Sequence, residues 1–172
     1  MKTIFTATFL LLFSTISFTQ ESLTWHTDLE KAISISQKEK KPIMLFFTGS
    51  DWCGWCIRLQ KEVFKKPEFV EWAKSNVVLV EVDFPKVNNQ SQETKNQNNL
   101  LQQQFGVQGY PTCLFVKPEK TKEGKNNLTK LGQKGYEAGG PNHWIYGKDD
   151  NVTLENGIVT ITNSAQYIIK PN

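Results

Sequence analysis

The sequence predicts an α/β domain, a central β-sheet flanked by helices, followed by a C-terminal β-hairpin extension. Three observations carry this prediction. Ile43–Phe47 and Val77–Val82 are continuous apolar runs, the pattern of strands buried on both faces. Helical periodicity fills the interval between them, so the two strands form a parallel crossover unit. Near the end of the chain, Asn156-Gly157 separates two alternating segments, Val152–Glu155 and Ile158–Ile161, which is the signal for a hairpin with a tight type I′ turn. With 38% hydrophobic and 22% charged residues, the 172-residue chain suits one such domain, not a coiled coil or a disordered tail.

The elements follow in order. Met1-Lys2 and the uncharged apolar stretch Ile4–Phe18, with small residues up to Thr19, read as a secretory signal cleaved near Thr19. The competing reading, a membrane anchor, needs a span of about 20 apolar residues and a stop-transfer pattern. The mature protein is therefore expected to have no membrane span and to be periplasmic or secreted. Thr27 to Glu30 has the form of a capping box, which places a helix over 28–39 with Thr27 as N-cap, ended by Lys40-Lys41-Pro42. After the strand Ile43–Phe47, the polar break Thr48–Asp51 leads into a helix starting near Cys53 and running to Phe64. Pro67 opens a second helical piece. The strand from Val77 to Asp83 is followed by an Asn/Gln-rich stretch, 86–99, read as a loop merging into a helix that carries Leu100, Leu101 and Phe105. Gly106 caps that helix. A strand follows over Thr112–Val116, then a turn at Lys117-Pro118 and Gly124, then a weaker strand around Leu128–Leu131. Pro141–Gly147 has the pattern of a short last helix. In the hairpin, Val152 faces Ile161 and Leu154 faces Val159, with Tyr167–Ile169 as a candidate third strand. The division expected is 1–19 signal peptide, 20–147 main domain and 148–172 β extension, the hairpin covering the sheet.

Charge argues mainly by exclusion. The formal net charge is +3, and the basic residues include a single arginine, Arg58. Nucleic-acid recognition, which relies on guanidinium contacts, is not indicated. Three cysteines are too few for a disulfide scaffold.

The informative residues are Trp52-Cys53-Gly54-Trp55-Cys56. A C-x-x-C pair by itself could be half a zinc site. Here it lies between an apolar strand and a helix, and two intervening residues in a first helical turn bring the sulfurs within bonding distance. Free N–H groups and the helix dipole favour a thiolate there. Cys53, nearer the helix start, is the attacking thiol, and Cys56, one turn deeper, resolves the mixed disulfide. Closing so small a loop adds little stability, so a purely structural bridge is disfavoured. His26, His143 and Cys113 lack ligand spacing to the pair, so no metal is expected. His26 and His143 read as surface or packing residues, Cys113 as a buried inert thiol, and Asp51 as a cap of the active-site helix.

The segment Phe46–Cys56 resembles the active-site segment of the thioredoxin superfamily, in particular exported bacterial thioredoxin-like proteins. Val80–Pro85 is similar to the family's third strand and the loop after it, and Phe105–Thr112 to the segment carrying its cis-proline. The resemblance runs from about Leu23 to Gly140. It implies a thioredoxin-like fold with a mixed central sheet, and thiol–disulfide exchange on protein thiols or disulfides with no bound cofactor. It also implies that Pro111 is cis and lies across from Cys53, that the backbone of Tyr110 pairs with a substrate strand, and that Trp52, Gly54 and Trp55 form an apolar docking rim, Trp55 tuning the pair. Against the family pattern, the buried Asp beneath the disulfide falls at Phe47 and the buried Lys at Leu79, leaving Glu81 or water to accept a proton from Cys56. Reduction in an oxidising compartment would need electrons from a membrane donor. Two other classes use the same residues: a non-redox peptide-binding or chaperone-like module, and a metal-handling dithiol protein.

Overall fold

The computed structural model describes residues 22–122, 124 and 126–147, together with the strands 152–155 and 158–161. The expected signal peptide and the third tail strand at Tyr167–Ile169 lie outside the described residues.

Five strands form one sheet in the order β1-β3-β2-β4-β5. These are β1 (Trp25–His26), β2 (Ile43–Thr48), β3 (Val78–Asp83), β4 (Thr112–Lys120) and β5 (Asn126–Lys134). β1 and β2 pair parallel with β3, while β4 pairs antiparallel with both β2 and β5, so the sheet is mixed. All six residues of β2 are buried, as its apolar run requires.

The helices are α1 (Leu29–Glu39), α2 (Gly54–Leu59), α3 (Pro67–Asn76), α4 (Gln92–Phe105) and α5 (Gly140–Tyr146). Strand alternation divides the interior in two. Ile43, Leu45, Phe47, Val78, Val80 and Val82 pack with Ala32 and Ile33 of α1 and Leu101 of α4. Met44, Phe46 and Leu79 pack on the other face with Cys53, Cys56, Leu59, Val63, Phe64, Phe69 and Trp144. The cysteine pair thus belongs to the second core.

Several expectations are corrected. The N-cap of α1 is Asp28, whose carboxylate accepts from the Lys31 N–H at 3.1 Å, and not Thr27. Gln97 occupies the neighbouring groups, with Oε1 accepting from Leu29 N and Nε2 donating to Thr27 O, both at 2.9 Å. α4 begins at Gln92 behind the N-cap Ser91, well before Leu100. Its polar side chains are not simply solvated: Asn98 is 1% exposed and donates to Asp83 O at 2.8 Å. Lys117-Pro118 is not a turn, since β4 continues to Lys120. The pairing of β4 with β2 ends at Val116, so the strand beyond it has an open edge where proline's missing N–H is tolerated. The helix from Cys53 to Phe64 widens into a π-helical turn at Gln60–Phe64.

The tail strands β6 (Val152–Glu155) and β7 (Ile158–Ile161) pair antiparallel with Val152 opposite Ile161 and Leu154 opposite Val159, the register a two-residue turn dictates. They form a separate two-stranded sheet.

Candidate functional site

β2 ends at Thr48, and the chain turns at Gly49 so that both Trp52 N and Cys53 N donate to Gly49 O, at 3.2 and 2.8 Å. Gly49 is needed because the Trp52 indole lies against it: a Cβ there would come within 2.4 Å of the ring. Asp83 holds the turn from β3, accepting from Ser50 N at 2.8 Å and Ser50 Oγ at 2.6 Å.

The turn delivers Cys53 to the start of α2. Cys53 is the N-cap, and its sulfur accepts the Cys56 N–H at 3.2 Å. Cys53 and Cys56 are joined in a disulfide, with their Cα atoms 5.2 Å apart. Cys53 is 6% exposed and Cys56 is fully buried, so Cys53 is the sulfur that solvent or a partner reaches first. An N–H aimed at the Cys53 sulfur is in place to stabilise a thiolate there once the bond is reduced.

Asp51 does not cap α2, contrary to expectation. Its carboxylate accepts backbone N–H groups of Lys86 at 3.0 Å, Val87 at 2.7 Å and Asn88 at 3.1 Å. These bonds hold its pKa below the usual carboxylate range, Lys86 contributing most. Asp51 therefore fixes the loop after β3 against the active-site turn.

Two aromatic clusters stand beside the disulfide. In the first, Trp52 Nε1 donates to Phe84 O at 2.8 Å, Lys86 Nζ lies 4.4 Å from the Trp52 ring centroid, and Tyr110 meets Trp52 at 5.8 Å and stacks on Phe84 at 5.3 Å. The Tyr110–Pro111 peptide bond is cis, as the resemblance implies. Burial raises the Tyr110 phenol pKa, the largest influence on it.

In the second cluster, Trp55 packs on Tyr136 at 5.1 Å, and the Arg58 guanidinium lies 5.5 Å from the Trp55 centroid and 5.2 Å from that of Tyr136. Glu62 binds both partners, accepting from Arg58 Nε at 2.8 Å and from Tyr136 OH at 2.6 Å. The Tyr136 bond is the main reason its pKa is lowered. Trp52 and Trp55 are 42% and 56% exposed, so each large ring presents apolar surface beside the sulfurs. Gly54 lies between them, and a Cβ there would meet nothing.

Beneath the disulfide the structure corrects the strand phase. Phe47 packs in the core on the opposite face, and Phe46 occupies the cysteine side together with Leu79. Both positions are apolar. Glu81 lies on β3 directly beside Phe46 on β2. It lines a cavity of about 520 Å³ with Trp25, Phe46, Gln60 and Phe64. Burial, and secondarily the charge of Asp83, raise its pKa. Cys113 is fully buried on the same face, and burial pushes its thiol pKa up, as expected of an inert cysteine. Sequence reasoning missed the Arg58–Glu62–Tyr136 and Trp52–Lys86 clusters. The i, i+4 spacing of Arg58 and Glu62 was the only local signal for either.

Among the described residues, no helix is long and apolar enough to cross a membrane, and no cluster of three or more His, Cys, Asp or Glu is arranged to hold a metal.

Dithiol–disulfide chemistry is what such a pair performs, and on this sheet, beside a cis-proline loop, it defines the thioredoxin-fold class of redox proteins. The chain belongs to the thioredoxin-like family, whose family model matches residues 24–118. It is 40% identical over 119 residues to the disulfide bond reductase DsbH of Chlamydia pneumoniae, a segment covering 69% of this chain and 66% of that protein. It is 30% identical to the thioredoxin-related protein DsbJ of the same organism, over 69% of this chain and 33% of the other. The chain thus spans just under two thirds of the first relative's length and a third of the second's. The solved structure of a DsbH oxidoreductase superposes with a TM-score of 0.65 at 36% identity, covering 80% of this chain and 90% of that one.

Proposed function

We propose that the protein is a thiol–disulfide oxidoreductase that works as a reductase of protein disulfides in an exported compartment. The observation that carries this reading is the Cys53–Cys56 disulfide, with the more accessible sulfur at a helix start and holding a backbone N–H. The 40% identity to a protein named as a disulfide bond reductase supports the direction.

The reaction starts from the dithiol. The Cys53 thiolate attacks one sulfur of a partner disulfide, forming a mixed disulfide and releasing the partner's other sulfur as a thiolate. Cys56, having lost its proton, attacks the Cys53 sulfur, which breaks the mixed disulfide and frees the second partner thiolate. The partner gains two electrons and, on protonation, two protons, while Cys53–Cys56 returns to the disulfide. Glu81 or water accepts the proton of the buried Cys56, and the raised pKa of Glu81 suits a carboxyl that takes one. Trp52, Gly54 and Trp55 form the rim on which the partner docks, and Tyr110 and Pro111 offer backbone to an extended partner segment. A dithiol donor resupplies electrons, and in an oxidising compartment we assign that task to a membrane donor. Residues 1–19 are the export signal in this reading, with cleavage near Thr19.

The test is turnover. With a supplied dithiol, the wild type should reduce the interchain disulfides of insulin. Cys53→Ser should abolish this activity, and Cys56→Ser should stall on a trapped mixed disulfide through Cys53. Activity retained in both variants would sink the mechanism.

A further inference from the structure

The two clusters beside the disulfide differ in how their charges are used. Each contains one carboxylate and one cation. Both carboxylates are fully engaged: Asp51 holds the N–H groups of Lys86, Val87 and Asn88, and Glu62 holds Arg58 Nε on one oxygen and Tyr136 OH on the other. The cations are not. Among the described residues, Lys86 Nζ makes no ion pair and rests on the Trp52 ring, and Arg58 commits only Nε, leaving its terminal nitrogens free. The Arg58 side chain is half exposed. Each cation stands against a tryptophan that flanks a cysteine, Trp52 before Cys53 and Trp55 before Cys56. The surface around the disulfide thus has spare hydrogen-bond donors and positive charge on two sides, and its acceptors are used up internally.

We propose that this rim selects protein disulfides flanked by acidic residues, with the carboxylates of the partner meeting Lys86 and the free guanidinium nitrogens of Arg58 while its disulfide reaches Cys53. The proposal rests on the reductase reading and names its substrate class. Charge supplies the selectivity here. The tryptophan faces accept apolar chain of any sequence, and a like-charged flank would be repelled by both cations. The rings also hold the two cations in place, so less side-chain entropy is lost when a carboxylate arrives.

Three disulfide-linked peptides of identical sequence, except for Glu, Ser or Lys beside each cysteine, provide the test. Their kcat/KM values are measured with a supplied dithiol at about 20 mM and about 500 mM salt, on either side of the ionic strength at which charges about 10 Å apart are screened. At low salt the order should be Glu, then Ser, then Lys, with about fivefold or more between the extremes, the size expected of two exposed pairs. High salt should close the gap. Lys86→Glu should shrink or reverse the Glu-over-Lys ratio, and Arg58→Gln should shrink it. Binding of the same peptides with serine in place of cysteine, measured calorimetrically on the oxidised protein, reads the rim without chemistry. Equal rates and equal binding across the three peptides, or a preference that survives high salt unchanged, would overturn the proposal. Absence of turnover with the binding order retained would overturn the reductase reading and leave the rim preference standing.

Discussion

At the scale of single residues, the site depends on positions whose importance lies in what they leave room for or fail to pair. Gly49 has no side chain because the Trp52 ring occupies that space, and the ring is held by its bond to Phe84 O. Gly49→Ala should push the indole off this seat, cost that hydrogen bond and lower kcat/KM on protein disulfides several-fold. In a Trp52→Ala background the same change should do almost nothing, because the two residues act as a unit. A large loss in that background would mean that Gly49 serves the backbone turn instead. Glu81 raises a different question. Its folded-state pKa lies above the ordinary value because burial disfavours the charged form. The native state therefore keeps a proton that the unfolded chain has already released, and stability falls as pH rises from the ordinary carboxyl range through the folded pKa. Glutamine cannot ionise. Glu81→Gln should raise the melting temperature by a few degrees at neutral pH, with the difference vanishing below about pH 4, where both forms are neutral. A melting difference independent of pH would show that ionisation of Glu81 is not the cause.

At the scale of elements, a short helix has the largest anchor. α5 spans seven residues, too few to be stable by itself. It is held by Trp144, fully buried, whose ring packs edge-on against Phe64 at 5.5 Å and Phe69 at 5.7 Å and whose Nε1 donates to Gly135 O at 2.8 Å. Lys134 Nζ adds a bond to Trp144 O at 2.6 Å. The tryptophan thus ties α5 to the π-helical turn after the active-site helix, to α3 and to the end of β5. Trp144→Ala should destabilise the fold by about 3–5 kcal/mol, the range for emptying a buried aromatic site. Because Phe64 lies on the helix that begins at the cysteines, the loss should also increase amide exchange in α2. Chemical denaturation and hydrogen exchange check the two effects separately. A loss confined to α5, with α2 unchanged, would show that the elements are not coupled through this ring.

For the whole molecule, what was legible in the sequence depended on how local the determinant is. The cysteine pair, the two parallel strands and the hairpin register rest on short-range patterns, and the cis-proline position on the resemblance of Phe105–Thr112 to a family segment. The phase of β2 could not be read, because a strand buried on both faces has no alternation to show which residue lies beneath the disulfide; hence Phe46 rather than Phe47. The start of α4 was hidden because Asn and Gln there make tertiary bonds to Asp83, Thr27 and Leu29. The charged groups around the tryptophan rim were out of reach for the same reason, since Glu62 and Tyr136 are 74 residues apart. The same distinction bears on the tail. Both sheet faces already carry buried cores, one under α1 and α4 and the other under α2, α3 and α5. Among the described residues, β6 and β7 pair with each other in a separate two-stranded sheet. With helices already over both faces, the expectation is that the fold closes without the hairpin, and truncation decides between this and the covering role its sequence suggests. Truncation after Gly147 should leave a cooperative unfolding transition within about 2 °C of the full chain, a shift corresponding to well under 1 kcal/mol, with turnover of insulin unchanged. A truncated chain that melts broadly or many degrees lower would assign the tail to the core after all. Unchanged stability with impaired turnover of larger disulfide proteins would instead place it in partner docking.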